Sequence, residues 1–218
     1  MKIKAVIFDM DGTIFDTEIL LEKYWRKAAA DFGFNMSHEQ ALELRSLAGE
    51  YASPFLKKYF GESFDYTSVR SRRKQLMDEE VTKSGLKKKK GADEALEYIK
   101  KLGLKRALAT ATDIERAEKY LKAAGLFDKL DCVCCGSMVK HGKPSPDIYL
   151  LAAETLGLSP AECVAVEDSP NGITSAYKAG MLPIMIPDLS EPDENLKKLL
   201  YKRCDSLLEL PHILEELV

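Results

Sequence analysis

Two aspartates separated by one residue are the first feature of the sequence that could carry chemistry. Asp9 and Asp11 directly follow an apolar run, residues 4–8, that is typical of a buried strand. Because ligands bind outside the carboxyl ends of strands in open α/β sheets, we expect both carboxylates at a ligand site. Two acids this close repel each other unless a cation holds them, and oxygen ligands favour Mg²⁺. Alone, the segment is equally compatible with an Asp-Gly turn at Gly12.

A second acidic pair stands at the end of another apolar run. Glu167 and Asp168 follow residues 163–166, and residues 170–172 then open a predicted helix. Charges at the ends of two buried strands destabilise a protein unless a cation compensates them. The two pairs together therefore predict one metal site, with two independent helix caps as the alternative.

A lysine and a threonine occupy two further predicted loops. Lys143 lies between a glycine and a proline ahead of a predicted helix, where its charge would neutralise a phosphate and the nearby aspartates. Thr110 and Ala111 follow a predicted strand, and a hydroxyl and backbone N–H groups at such a place suit a phosphate oxygen. Taken singly, these residues are as well explained by a solvated loop and a helix cap.

Combined, the four segments predict phosphoryl transfer through a covalent intermediate. Mg²⁺ and Lys143 would shield the negative charge so that one aspartate attacks phosphorus and forms an aspartyl-phosphate. Asp11 would protonate the leaving alcohol and then take a proton from water.

The elements that must position these residues alternate along the chain. Short apolar runs alternate with amphipathic stretches, which predicts an α/β fold with a parallel sheet covered by helices. The predicted strands are residues 4–8, 104–109, 132–135, 163–166 and 182–186. The predicted helices are residues 92–102, 114–124, 146–156, 172–179 and 207–217.

One segment, residues 17–85, has helical patterns and no convincing strand. Its first helix carries an apolar stripe that includes Leu21 and Trp25, and further helices are predicted over residues 37–47, 54–60 and 68–83. A helical block directly after the first strand indicates an inserted cap domain. We therefore predict a core of residues 1–16 and 86–218 and a cap of residues 17–85.

Composition excludes several classes of protein. With 218 residues, 45% of them hydrophobic, the chain can form one good core and a smaller module. A net charge of −3 argues against a nucleic-acid partner, and no stretch is long enough to cross a bilayer. Asp9 breaks the first apolar run, so a signal peptide is not predicted. We expect a cytoplasmic monomer whose five cysteines are reduced.

In this order and around this insertion, the motifs DxDGT, a strand-end threonine, GKPSPD and EDSPNG resemble the haloacid dehalogenase superfamily. The greatest similarity is to the β-phosphoglucomutase-like phosphatases with a small helical cap. The resemblance covers nearly the whole chain and implies a Rossmann-like core, with Asp9 as nucleophile and Asp11 as general acid and base.

The resemblance also implies ligands for the phosphoryl group and the metal. Thr110 and Lys143 would hold the phosphoryl group, with Ala111 and Met10 in the same set. Asp168 would bind Mg²⁺ with Asp9 and the backbone carbonyl of Asp11, and Glu167 would support the metal through water.

Two departures from β-phosphoglucomutase favour hydrolysis of a monophosphate ester by this chain. Leu21 stands where that mutase has a cap histidine, and Asp113 falls in a run that helps the mutase hold a second phosphate, which an aspartate would repel. Leu21, Phe15 and Arg45 are candidate substrate contacts, although Arg45 is more simply explained as a surface arginine on a helix, and Leu21 and Phe15 as residues that pack the cap. The alternatives are a sugar-phosphate mutase and, more remotely, a phosphoacceptor signalling domain.

Overall fold

The computed structural model describes residues 2–218. Six parallel strands form one sheet in the order β3-β2-β1-β4-β5-β6. They are β1 (Ala5–Phe8), β2 (Lys105–Thr110), β3 (Cys132–Cys135), β4 (Cys163–Glu167), β5 (Leu182–Met185) and β6 (Lys202–Arg203). The order runs outward in one direction from β1 and in the other from β4, so the carboxyl ends of these two strands flank the crevice where such sheets bind ligands.

Helices cover both faces of the sheet. In the core these are α5 (Ala92–Lys101), α6 (Ile114–Ala123), α7 (Asp147–Leu156), α8 (Pro170–Lys178), α9 (Glu194–Lys197) and α10 (Leu210–Glu215). Alternate residues of β1 enter different apolar clusters: Val6 and Phe8 pack with Leu96 of α5, whereas Ile7 packs with Tyr149 of α7. Burial on both faces explains why β1 is apolar throughout.

The cap segment forms four helices: α1 (Glu18–Asp31), α2 (His38–Leu42), α3 (Gly49–Phe60) and α4 (Tyr66–Ser84). They enclose an apolar cluster of their own that includes Trp25, Leu56, Phe64 and Met77. The predicted boundaries of the cap lie just before α1 and just after α4.

The cap lies on the core through polar contacts near the carboxyl edge of the sheet. The Ala48 N–H donates to the Lys143 carbonyl at 3.0 Å, and the Asn171 side-chain amide donates to the Arg45 carbonyl at 2.9 Å. The Glu50 carboxylate accepts a 3.1 Å bond from the Gly142 N–H. The cap loop between α2 and α3 is thereby held against the ends of the strands.

The predicted α/β class and all five predicted strands are confirmed. Strand β6 was not predicted because it has only two residues, both polar and exposed. The predicted ends of two cap helices, over residues 37–47 and 54–60, were wrong. Helix α2 stops at Leu42, before Ser46 turns at φ 51°, and α3 begins at Gly49 with Pro54 inside it. The predicted helix 207–217 is a short 3₁₀ turn followed by α10.

None of the helices described in residues 2–218 is both long enough and apolar enough to cross a membrane.

The apolar cluster of the cap generates a stability prediction. Leu56 is fully buried in it, whereas Leu150, on α7, is 40% exposed. Leu56→Ala leaves a cavity, so we expect it to lower the free energy of unfolding by about 2–5 kcal/mol. The same change at Leu150 should cost less than about 1 kcal/mol. Urea denaturation followed by circular dichroism measures both, and equal losses would contradict the assignment of Leu56 to a packed cap core.

Candidate active site

Asp9 lies directly after β1 at the crevice between β1 and β4. Its N–H donates to the Val166 carbonyl at 2.9 Å, which fixes the backbone beside β4. One carboxylate oxygen, Oδ1, accepts a 2.5 Å bond from Lys143 Nζ, whereas the buried Oδ2 has no hydrogen-bond partner in the part of the chain that is described. Burial raises the pKa of Asp9 well above its ordinary value, although the Lys143 ammonium opposes this shift.

Lys143 is fully buried and is the central cation of the site. Its ammonium donates to Asp9 Oδ1 and Glu167 Oε1, both at 2.5 Å, and to the Ala109 carbonyl at 2.9 Å. Burial alone would lower the pKa of Lys143, but the Asp9 and Glu167 carboxylates outweigh it and raise the pKa. The three acceptors hold Lys143 as a charged group at the end of β2.

Glu167 has its carboxylate occupied by protein donors. Besides Lys143, Oε1 accepts from the Tyr149 hydroxyl at 2.7 Å, and Oε2 accepts from Ser169 Oγ at 3.2 Å. Helix α8 starts against this group, since a Cβ on Gly172 would lie 1.9 Å from the Glu167 carboxyl. Glu167 is thus held in place and positions Lys143.

Asp168 differs from Glu167 because no protein group of the described residues donates a hydrogen bond to its carboxylate. Both carboxylate oxygens are buried without a hydrogen-bond partner among residues 2–218, and the nearest cation is Arg45, with Nη1 3.9 Å from Oδ2. Burial, and then the Glu18 carboxylate, raise the pKa of Asp168 well above its ordinary value. Gly12, with φ 80°, passes so close that a Cβ there would lie 2.5 Å from Asp168 Oδ2.

These residues fit a small, hard cation. Asp9, Glu167 and Asp168 each place a carboxylate oxygen within 4.8 Å of the others. Buried carboxylate oxygens without donors destabilise the protein unless a cation compensates them, and an all-oxygen ligand set favours Mg²⁺ over softer metals. Asp9 Oδ2 and both oxygens of Asp168 accept no hydrogen bond from the described residues, so they are the oxygens available for direct coordination.

Asp11 faces the cleft between core and cap and is held by two hydroxyl groups. Thr17 Oγ1 donates to its Oδ1 at 2.6 Å, and Thr112 Oγ1 donates to its Oδ2 at 2.8 Å. The two bonds fix the carboxyl group in a half-buried position on the wall of the cleft. A carboxyl group placed in this way can exchange a proton with a molecule in the cleft.

The remaining predicted phosphate ligands lie around Asp9. Thr110 ends β2, is buried, and accepts the Thr112 N–H at 3.1 Å, and Ala111 follows it on the cleft wall. Met10 is buried between the two aspartates, and its carbonyl accepts N–H groups from Ile14 and Phe15, both at 3.0 Å.

Of the three cap candidates, the structure places two at the cleft. Leu21 lines it from α1. Arg45 also lines it and is buried rather than on the cap surface; it donates to Ser190 Oγ and to the Leu42 carbonyl. Phe15 lies elsewhere: its ring packs edge-on against Tyr120 in the core cluster, because the turn after Gly12 directs it into the sheet–helix layer.

Two buried charged residues of the cleft escaped the sequence analysis. Glu18, the first residue of α1, is buried, whereas an acid in a first helical turn by itself indicates no more than a favourable dipole interaction. Arg73 is buried on α4 in a stripe with Val69, Leu76 and Met77. Their spacing of four, seven and eight residues from Val69 is that of a buried helix face, and an arginine on that face was the available signal.

Asp113 has a different environment from the one that was expected. Its carboxylate pairs with Lys74 and with Arg70, at 3.7 Å, both from α4. Burial opposes ionisation, but the hydrogen bond from Lys74 and the nearby cations outweigh it, and the pKa of Asp113 is lowered. The charge that was expected to repel a second phosphate is therefore largely compensated, and it links the core to the cap.

Comparison with known proteins agrees with this geometry. A family model described as haloacid dehalogenase-like hydrolase matches residues 3–180. A phosphorylated carbohydrates phosphatase of Thermotoga maritima is 35% identical over 82% of this chain and 82% of its own. Hexitol phosphatase A of Escherichia coli is 32% identical over 88% of this chain and 90% of its own.

A solved structure shares the whole architecture. The crystal structure of β-phosphoglucomutase from Clostridium difficile superposes with a TM-score of 0.83 at 25% identity, over 98% of this chain and 96% of that chain. The match covers both the sheet and the helical segment between β1 and α5. With the family model spanning most of the sequence, this chain belongs to the haloacid dehalogenase-like hydrolase family.

Proposed function

We propose that this protein is a magnesium-dependent phosphatase that hydrolyses small phosphorylated metabolites through an aspartyl-phosphate on Asp9. Two neighbouring buried carboxylates carry the proposal. Asp9 accepts a hydrogen bond from Lys143 through Oδ1, and neither oxygen of Asp168 has a hydrogen-bond donor among the described residues. A divalent cation bound by Asp9 and Asp168 would neutralise charge on the phosphoryl oxygens.

In the first step, the Asp9 carboxylate attacks phosphorus. A bond forms between the carboxylate oxygen and phosphorus, while the bond between phosphorus and the ester oxygen breaks. Asp11 transfers its proton to the departing oxygen, so the product leaves as an alcohol rather than an alkoxide. The hydroxyl groups of Thr17 and Thr112 keep the Asp11 carboxyl group in the cleft during this transfer.

In the second step, water attacks phosphorus and Asp11 accepts its proton. The bond between Asp9 and phosphorus breaks, which restores the carboxylate and releases inorganic phosphate. We assign Thr110 to the phosphoryl oxygens, together with the backbone N–H groups of Met10 and Ala111. Lys143 would act on the same oxygens through its charge, since its three N–H groups already donate to protein acceptors. Glu167 holds Lys143 in place and supports the metal indirectly, since its own oxygens already accept three protein donors.

Residues 17–85 serve in this proposal as the cap that closes over the phosphoryl group and selects the leaving group. Support comes from the position of Leu21 and Arg45, which line the same cleft as Asp9 and Asp11. Phosphorylated sugars and polyols are the first substrates to test, because two relatives are a phosphorylated carbohydrates phosphatase and a hexitol phosphatase.

A sugar-phosphate mutase is the second candidate. The likeness to the Clostridium difficile β-phosphoglucomutase favours it, and the ion pairs of Asp113 weaken the argument that an aspartate excludes a second phosphate. Leu21 still argues for hydrolysis, since an aliphatic side chain cannot donate or accept a proton at the position of the mutase histidine.

Asp9→Asn tests the nucleophile. We expect phosphate release from a panel of sugar and polyol monophosphates with Mg²⁺, and a loss of at least about 10³-fold in kcat/KM for the variant because an amide is a poor nucleophile. Asp31→Asn is the matched control, since Asp31 pairs with Arg72 outside the cleft. An Asp9→Asn enzyme that keeps its activity would contradict the mechanism. In wild type, a long-lived aspartyl-phosphate that does not turn over would instead indicate a phosphoacceptor domain.

β-Glucose 1-phosphate separates the two candidate enzymes. A phosphatase releases phosphate from it without a bisphosphate activator, whereas a mutase converts it into glucose 6-phosphate. We expect free phosphate as the product because Leu21 cannot take part in proton transfer. Coupled assays for phosphate and for glucose 6-phosphate, run in parallel, measure the two products, and glucose 6-phosphate without phosphate release would assign the chain as a mutase.

Asp168→Asn tests the cation site through stability. Without metal, the variant should be at least as stable as wild type, because it removes a buried carboxylate that lacks hydrogen-bond donors. Mg²⁺ at about 100 times its Kd should stabilise wild type by about 2.7 kcal/mol and the variant much less. Thermal denaturation with and without Mg²⁺ measures both effects. Equal stabilisation of the two proteins would place the cation elsewhere.

A further inference from the structure

Arg73 is a buried cation without a counter-ion. It is 8% exposed and lines the cleft from α4. Within residues 2–218, its guanidinium makes neither a hydrogen bond nor an ion pair, and its buried Nε is without a partner. It stacks instead on Trp25, with Cζ 5.0 Å from the ring centroid, and Trp25 in turn stacks on Tyr66.

The neighbouring cations are already paired. Arg70 and Lys74 pair with Asp113, and Arg116 donates to Asp78 at 3.2 Å. This wall of the cleft therefore carries an excess of positive charge. Burial, and then repulsion by Arg116 and Arg70, lower the pKa of Arg73 to about 10, which leaves it charged at neutral pH.

The position of Arg73 on α4 is one that an apolar residue would ordinarily occupy. Val69, Leu76 and Met77 share the same buried stripe, and the cap cluster would be more stable with an apolar side chain between them. A charged group kept at such a place, open to a cleft, indicates a ligand that supplies the missing anion.

Arg73 lines the cleft from the cap, and the same cleft is lined by Asp11, the proposed proton donor to the leaving oxygen. The phosphoryl group itself would be held at Asp9 and Lys143. An anion bound by Arg73 would thus belong to the alcohol part of the substrate.

The fork of N–H groups on a guanidinium suits a planar anion. A carboxylate is planar and accepts two parallel N–H bonds from a guanidinium, and the Arg73 guanidinium lies over the Trp25 ring at the cleft.

We propose that Arg73 is a specificity-determining residue that binds a carboxylate on the leaving alcohol, so that the preferred substrates are phosphate esters of hydroxy acids or sugar acids. This inference rests on the phosphatase activity proposed above. The cap would then recognise a second charged group of the substrate, in addition to the phosphoryl group that the core would bind.

Pairs of esters that differ only in the carboxylate test this proposal. One pair is 3-phosphoglycerate and glycerol 3-phosphate, and another is 6-phosphogluconate and glucitol 6-phosphate. We expect kcat/KM with Mg²⁺ to be about 10- to 100-fold higher for the acid of at least one pair, the range of a charge-assisted hydrogen bond. A comparison of kcat/KM for fructose 1,6-bisphosphate and fructose 1-phosphate shows whether Arg73 binds a second phosphate group rather than a carboxylate.

The variants are Arg73→Gln, Arg73→Lys and, as matched control, Arg72→Gln. Arg72 is the preceding residue on α4 and pairs with Asp31 away from the cleft, at 2.7 Å. The acid-to-neutral ratio of kcat/KM should collapse towards one in Arg73→Gln, persist in part in Arg73→Lys, which keeps the charge, and remain unchanged in Arg72→Gln. A purely structural role of Arg73 would lower both members of a pair together and leave the ratio as it is.

The outcomes separate this proposal from the one on which it rests. Hydrolysis of neutral esters without a preference for the acids, a ratio that survives in Arg73→Gln, or a preference for the bisphosphate alone overturns the carboxylate assignment and leaves the phosphatase in place. Failure of wild type to hydrolyse any of the esters overturns both. Because the wild-type ratio is measured without any variant, the test stands even if Arg73→Gln does not fold.

Discussion

The structure depends on the compensation of negative charge at the carboxyl ends of two adjacent parallel strands. Asp9, Glu167 and Asp168 are all buried there, around a single buried lysine, Lys143. Arg45 Nη1 lies 3.9 Å from Asp168 Oδ2, but two cations do not neutralise these three carboxylates and the nearby buried Glu18, so the site has a deficit of positive charge in the absence of a further cation. Stability and the proposed catalysis have the same requirement, because a cation that relieves the deficit would also neutralise charge on the phosphoryl oxygens.

The sheet order is what brings the acids together. Asp9 and Asp168 lie 159 positions apart in the sequence, but β1 and β4 are hydrogen-bonded neighbours in register from Ala5 with Cys163 to Phe8 with Val166. Strands of a parallel sheet all end at the same edge, so the loops that follow β1 and β4 emerge side by side. In the proposed function the core would hold the phosphoryl group, whereas residues that would select the leaving group come from the cap.

The cap is bound to the core by charges as well as by backbone contacts. Lys74 reaches Asp113, Arg116 reaches Asp78, and Arg45 lies near Asp168 across the boundary between the two parts. Interactions of this kind are weak when exposed and become stronger as water leaves. A substrate that fills the cleft would therefore strengthen the contacts that hold the cap over it.

The sequence alone determined the fold class and the five main strands, and it located acids at the ends of two of these strands, since these features follow from local patterns. An apolar run ended by an acid is visible in five or six consecutive letters, and it marks both β1 with Asp9 and β4 with Asp168. Tertiary structure alone decided which charges remain unpaired. The consecutive residues Arg72, Arg73 and Lys74 are nearly equivalent in a one-dimensional pattern, but the rotation of α4 sends the first to Asp31, the third to Asp113 and the second into the cleft. That rotation is set by the packing of the whole cap, which involves residues distant in sequence.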